Sequence, residues 1–125
     1  MDNRQYTRLI INVEGTYYTE SEINGSIEVY GIIRDISEQG IQIRIDLGLY
    51  PDADKVFVKG STFTFQYADV YEVCNQERMD ILSGEAMIRW TEISGNMLIA
   101  GCYISSPSEE FMKYLKVRTA SRYAR

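Results

Sequence analysis

The sequence predicts an all-β domain, either a sandwich or a barrel, that ends in one helix. Hydrophobic residues alternate with polar ones in several short stretches, clearest over 41–46 and 62–67. Alternation with a period of two is typical of half-buried strands. About six such stretches fit within 125 residues, and regularly spaced short strands separated by turns are typical of sandwiches and barrels.

The expected strands cover about 8–14, 27–35, 41–46, 62–73, 84–92 and 97–105. Gly31 lies inside the second strand and predicts a bulge there. The last two strands are apolar on both faces, which predicts a central position. Asn24-Gly25 predicts a hairpin turn, and 47–60 is the longest expected connection.

A helix is expected over 106–123. Ser106 suits the N-cap, Pro107 the first helical position and Glu109 the capping box. A stripe that can pack on the strands consists of Phe111, Met112, Leu115 and Thr119. Residues 111–125 carry five basic side chains and no acid, which favours a solvated helix end, with a partner or ligand contact as the alternative.

Composition limits the possible functions. The chain lacks histidine, which removes the commonest general base and metal ligand, and it contains no recognisable catalytic or metal-binding motif. We therefore expect neither an enzyme nor a metal site. Residues 1–110 carry a net charge of −10, which argues against binding to DNA or RNA. Cys74 and Cys102 are interpreted as small buried residues.

The N-terminus is polar, without the apolar core of a signal peptide. No apolar run approaches the ~20 residues of a membrane-spanning helix. We therefore expect a cytoplasmic protein without membrane insertion.

The first candidate binding segment is Arg4-Gln5-Tyr6-Thr7-Arg8. Two arginines four positions apart lie on one side of either a helix or an extended segment. Guanidinium groups bind phosphate, stack on flat rings and match the O6 and N7 edge of guanine. The pattern alone is weak, and the alternative is a solvated N-terminus.

The second candidate segment is Asp35-Ile36-Ser37-Glu38-Gln39-Gly40, between the second and third strands. In an extended segment Asp35 and Ser37 point to the same side, where an ionised Asp35 suits the N–H donors of a guanine. Gly40 is expected to supply a positive φ at the turn. The alternative is an ordinary hairpin turn.

Together these segments resemble the PilZ domain family. An Arg-x-x-x-Arg segment precedes the first strand, and an Asp-x-Ser-x-x-Gly segment follows the second. Residues 86–90, which end in Trp90, and residues 99–104, with Gly101 before Tyr103, are similar to later strands of the family. The resemblance extends from about residue 4 to residue 118.

The resemblance implies a six-stranded antiparallel Greek-key, split β-barrel over 8–105 and a C-terminal helix over 106–123. The N-terminal segment, 1–8, is expected to be mobile without ligand, because chain ends with few apolar residues tend to be mobile. The resemblance also implies a site for cyclic di-GMP, a bacterial second messenger. The site residues would be Arg4, Arg8, Asp35, Ser37 and Gly40, with Tyr6 and Trp90 as weaker candidates. Asn3 stands where many relatives have a basic residue. Whether the site binds one dinucleotide or a stacked pair therefore remains open.

The function expected from the resemblance is a cyclic di-GMP sensor without a cofactor. The ligand would order the arginine segment over the barrel and alter a surface for a downstream protein. The alternative is a ligand-independent interaction protein that acts through the barrel surface and the basic C-terminal helix. The default interpretation of Trp90 is that it packs against the barrel or its mouth. For Tyr6 two roles stay open: stacking on a base of the ligand, or covering the end of the barrel.

Overall fold

The computed structural model describes residues 8–21 and 25–123. Its elements are β1 (Leu9–Ser21), β2 (Gly25–Ile36), β3 (Gly40–Asp46), α1 (Ala53–Val56), β4 (Thr62–Val73), β5 (Gln76–Ser94), β6 (Met97–Tyr103) and α2 (Glu109–Tyr123). Six strands and a C-terminal helix are confirmed, and α1 adds one helical turn to a connection expected to be irregular. The expected turn at Asn24 lies outside the described residues.

The strands form a closed antiparallel barrel in the order β1-β2-β3-β6-β5-β4. The chain crosses from β3 to β4 through 47–61, so β3 pairs with β6 rather than with β4. This order is a Greek key, as the resemblance implied. The expectation that 84–92 and 97–105 lie centrally is wrong, because a closed ring of strands has no middle.

Inward-facing residues of all six strands fill the barrel. Ile43 and Ile45 of β3 are fully buried, as are Val29 and Ile33 of β2. The alternation seen in the sequence therefore marks the inner face correctly. Helix α2 covers one end of this core, where the Phe111 ring meets Phe65 edge-on with centroids 6.4 Å apart.

The start of α2 differs from the expectation. Ser108 Oγ accepts a hydrogen bond from the Phe111 amide at 3.1 Å, so Ser108, and not Ser106, caps the helix. Capping at Ser108 places Phe111 in the first turn, facing the barrel. The buried residues of the helix are Phe111, Tyr114 and Leu115, whereas Met112 and Thr119 are half-buried.

Arg118 corrects the interpretation of the helix end as merely solvated. Its Nε lies 2.8 Å from Oδ2 of Asp69 on β4, and the Tyr114 hydroxyl donates to the same oxygen at 2.6 Å. Asp69 is only 2% exposed. A buried carboxylate requires such partners, so these contacts attach α2 to the barrel.

Gly31 is not the site of a bulge. It pairs in register with Gly15 of β1, and a Cβ at Gly31 would lie 2.2 Å from the carbonyl oxygen of Arg44. Glycine is needed here because neighbouring backbone passes too close for a side chain. The irregularity in β2 lies instead between Ile33 and Asp35.

The two cysteines differ in environment. Cys102 is buried, and burial raises the pKa of its thiol to about 12. Cys74 is exposed, contrary to expectation. It occupies the turn between β4 and β5 with φ of 53°, followed by Asn75 with φ of 65°, the left-handed pair of a tight hairpin.

Neither a metal centre nor a membrane span is found within 8–21 and 25–123. No cluster of three or more potential ligands lies in this part of the chain, and none of its helices combines the length and apolarity needed to cross a bilayer.

Candidate nucleotide-binding site

The structure brings together residues from the two segments singled out in the sequence. Arg8 directly precedes β1, which pairs with β2 so that Ile10 lies opposite Asp35. Arg8 Nη1 donates to Asp35 Oδ1 at 2.8 Å. The Asp35 side chain is 8% exposed and that of Arg8 is 41% exposed, so a ligand reaching this pair meets the guanidinium first.

The β2–β3 turn is held by its own backbone. The Ser37 amide donates to the Gly40 carbonyl at 2.8 Å, and the amide of Ile104, which directly follows β6, donates to the Gln39 carbonyl at 2.9 Å. Ser37 is buried beside Asp35. The turn therefore presents its side chains from a fixed backbone.

The predicted role of Gly40 is wrong in its mechanism. The positive-φ glycines in the described part of the chain are Gly25, Gly60 and Gly95, and Gly40 is not among them. A Cβ at Gly40 would lie 3.1 Å from the Cys102 carbonyl oxygen and 3.6 Å from Ser37 Oγ. Glycine at this position allows the turn to lie close against β6.

Trp90 lies on the outer face of the barrel in the same cross-strand row as Asp35. Asp35 pairs with Gln42, Gln42 with Gly101, and Gly101 with Trp90. Directly paired residues point to the same face of a sheet. Three strand spacings of about 4.8 Å place the two ends of the row about 14 Å apart.

Trp90 is 44% exposed, so it is not a core residue. Its indole lies over Gly101, where an added Cβ would meet Nε1 at 2.1 Å. The ring thus packs against bare backbone on one side, and part of it stays accessible to solvent. This position suits stacking on a flat ligand.

Gln42, Arg89 and Tyr103 were missed as candidate site residues. Gln42 sits next to Asp35 in the outer row, and the Arg89 guanidinium lies 4.7 Å from the ring centroid of Tyr103. Tyr103 pairs with Gly40, which brings this cation near the β2–β3 turn. The only sequence signal was the polar phase of β3, which includes Gln42 but does not distinguish a ligand contact from ordinary solvation. Arg89 and Tyr103 lie on strands that look apolar on both faces, so no alternation marked them.

Arg4 and Tyr6 lie outside the described residues, so the Arg4–Arg8 arrangement stays a prediction. Arg8, Asp35, Ser37 and Gly40 do meet at one place. They combine an arginine that can bind phosphate with a carboxylate whose two oxygens can accept several N–H donors. A guanine nucleotide offers both kinds of partner.

No family model and no curated protein matches the sequence. Among solved structures, the chain resembles the Bacillus subtilis inhibitor of motility, MotI/DgrA, with a TM-score of 0.64 and 17% identity. This match covers 99% of this chain and 55% of that one; the present chain thus spans about half of MotI/DgrA.

The PilZ domain of YcgR from Escherichia coli, solved with c-di-GMP, is also similar. It has a TM-score of 0.57 and 14% identity, and the match covers 99% of this chain and 95% of that domain. At these identities the likeness concerns the fold. Together with the six-stranded Greek-key barrel and its C-terminal helix, it shows that the chain has a PilZ-like fold.

Proposed function

We propose that this chain is a cyclic di-GMP-binding domain that acts by binding and not by catalysis. The observation that supports the proposal most strongly is the contact between Arg8 and Asp35, at 2.8 Å, next to the Ser37–Gly40 turn. The fold is shared with a domain solved with c-di-GMP. The bacterial second messenger is intracellular, so a cytoplasmic location belongs to the same proposal.

In this proposal each residue of the site has a distinct role in binding. Arg8 binds a phosphate or a guanine edge with its guanidinium. Asp35 accepts from the N1–H and N2–H₂ donors of guanine, which it can do beside Arg8 because a carboxylate offers about four acceptor positions. Ser37 adds a hydroxyl, and Gly40 keeps the turn close to β6.

The proposed response is ordering of the N-terminal segment. Arg4 would bind the same dinucleotide as Arg8, so that residues 1–8 close over the outer face near Asp35. This closure would create or alter a surface for a downstream protein. The Arg-x-x-x-Arg pattern of the sequence supports this step, together with the position of Arg8 immediately before β1.

Removing Arg8 tests the site. A good bidentate contact contributes ~1–3 kcal/mol, so Arg8→Ala is expected to weaken cyclic di-GMP binding about tenfold to a hundredfold. Because this change also leaves Asp35 without its partner, Ser37→Ala, which alters no charge, is measured in parallel and is also expected to weaken binding. Thermal unfolding checks that both variants are folded.

The matched control is Arg78→Ala, which removes an exposed arginine on β5, a strand that pairs with neither β2 nor β3. It should bind like the wild type. Unchanged affinity in both Arg8→Ala and Ser37→Ala would contradict the proposed site, whereas a loss in Arg78→Ala as well would indicate a nonspecific charge effect.

A further inference from the structure

A groove of about 800 Å³ lies on the outer face of the barrel. Its lining includes Tyr30, Ile32, Arg44, Leu49, Ala68 and Ile81. It lies beyond the proposed nucleotide site, farther along β2 and β3 from Asp35. The nucleotide site described above does not use these side chains.

The groove is apolar where it is most exposed. Leu49 is 72% exposed, Tyr30 63% and Ile81 60%. The apolar surface continues along the β4–β5 hairpin, where Val70 pairs with Met79 next to the Ala68–Ile81 pair. A contiguous exposed patch of this kind, unlike scattered single residues, marks an interaction surface.

Acidic side chains surround this apolar surface. Glu14 and Asp46 line the groove, and Glu72 pairs with Glu77 beyond Val70 and Met79. Arg44 is the one basic residue among the described lining residues, and its Nε is shielded from solvent. Charge complementarity therefore favours an occupant with apolar and basic side chains.

The shape of the groove suits a helix. Its central part crosses β4, β1 and β2, which is two strand spacings or about 10 Å. About two turns of a helix, at 5.4 Å per turn, span this distance. Because the groove runs across the strands, an occupant meets side chains along its length, as an amphipathic helix does in a hydrophobic groove.

We propose that this groove binds a basic amphipathic helix of a partner protein. The apolar stripe of the helix would contact Tyr30, Leu49 and Ile81, and its lysines or arginines would face Glu14, Glu72 and Glu77. The described lining residues lie on the strands and on the loop after β3, so the proposal does not depend on nucleotide binding.

A synthetic peptide tests the proposal. The probe is a fluorescent 18-residue helix with a leucine stripe flanked by lysines, titrated with the full chain and followed by anisotropy. We expect saturable binding, at least tenfold weaker with Ile81→Asp. The matched control is Ile93→Asp, because Ile93 is also on β5 and is 55% exposed but does not line the groove; it should bind the peptide like the wild type.

Two further peptides separate shape from charge. A scrambled peptide of the same composition and a version with glutamates in place of lysines should both bind at least tenfold more weakly. Absence of saturable binding, equal binding of the scrambled peptide, or equal loss in Ile81→Asp and Ile93→Asp would overturn the proposal. Sedimentation showing a dimer that Ile81→Asp dissociates would also overturn it, in favour of a second copy of this chain.

Discussion

At the scale of single residues, the Asp35 carboxylate serves two partners in this account. It accepts from Arg8 in the structure, and it reads a guanine edge in the proposed complex. Charge-assisted hydrogen bonds to a carboxylate are strong, and a shielded carboxylate without a partner is costly. The Arg8 contact therefore orients Asp35 for the ligand.

Trp90 tests how far the site extends along the outer row. Stacking of a base on an aromatic ring contributes ~1–3 kcal/mol, so Trp90→Ala should weaken cyclic di-GMP binding about tenfold, whereas Trp90→Phe should retain most of the affinity. Calorimetric titration measures both. Tyr30→Ala serves as control because Tyr30 is an exposed aromatic residue outside the row. Wild-type affinity in Trp90→Ala would limit the site to the Arg8 end.

At the scale of elements, α2 depends on a buried charge for its attachment. Tyr114 and Arg118 both donate to Asp69, and the Arg118 guanidinium also lies 5.0 Å from the ring centroid of Tyr71. Burial alone would lower the pKa of Arg118, but the charge of Asp69 and the hydrogen bonds around it raise the pKa overall. The helix is thus bound to the barrel by polar contacts as well as by Phe111 and Leu115.

Removing Arg118 should destabilise the fold. Arg118→Met leaves Asp69 as a buried carboxylate with fewer partners, and breaking a buried ion pair in this way costs about 3–5 kcal/mol. The double variant Asp69→Asn with Arg118→Met should recover part of that loss, because the uncompensated charge is gone. Chemical denaturation gives the free energies of unfolding, with Lys116→Met, an exposed position, as control. A loss below about 1 kcal/mol, the range of surface pairs, would contradict the buried role of Arg118.

At the scale of the whole molecule, the sequence predicted the fold well because alternation reports the inner face directly. The sequence predicted the connections between strands and the environment of the site residues less well. Cys74 was assigned to the core because its neighbours look like strand, whereas a tight turn exposes it. Gly40 was assigned a positive φ because glycine is common in turns, but its role is set by the Cys102 backbone of a distant strand. Such constraints depend on strand pairing, which no local pattern records.

Stability should fall at alkaline pH. Burial raises the pKa of Cys102 and of Tyr71 to about 12 each, above the values of about 9 and 10 expected in an unfolded chain. Groups with a raised pKa in the folded state contribute stability below their unfolded pKa and lose it as pH rises through the folded value. The melting temperature should therefore decrease from about pH 9 upwards, and Cys102→Ala should reduce this decrease. A melting temperature that stays constant to pH 11 would contradict this account.

The proposed binding of cyclic di-GMP is tested most directly by a calorimetric titration of the purified, nucleotide-free chain with the dinucleotide, with GMP as control. We expect saturable binding of the dinucleotide that GMP does not reproduce, and the stoichiometry distinguishes one bound dinucleotide from two. The absence of heat at several temperatures, from a sample shown to be folded, would contradict the sensor function and favour a ligand-independent interaction protein.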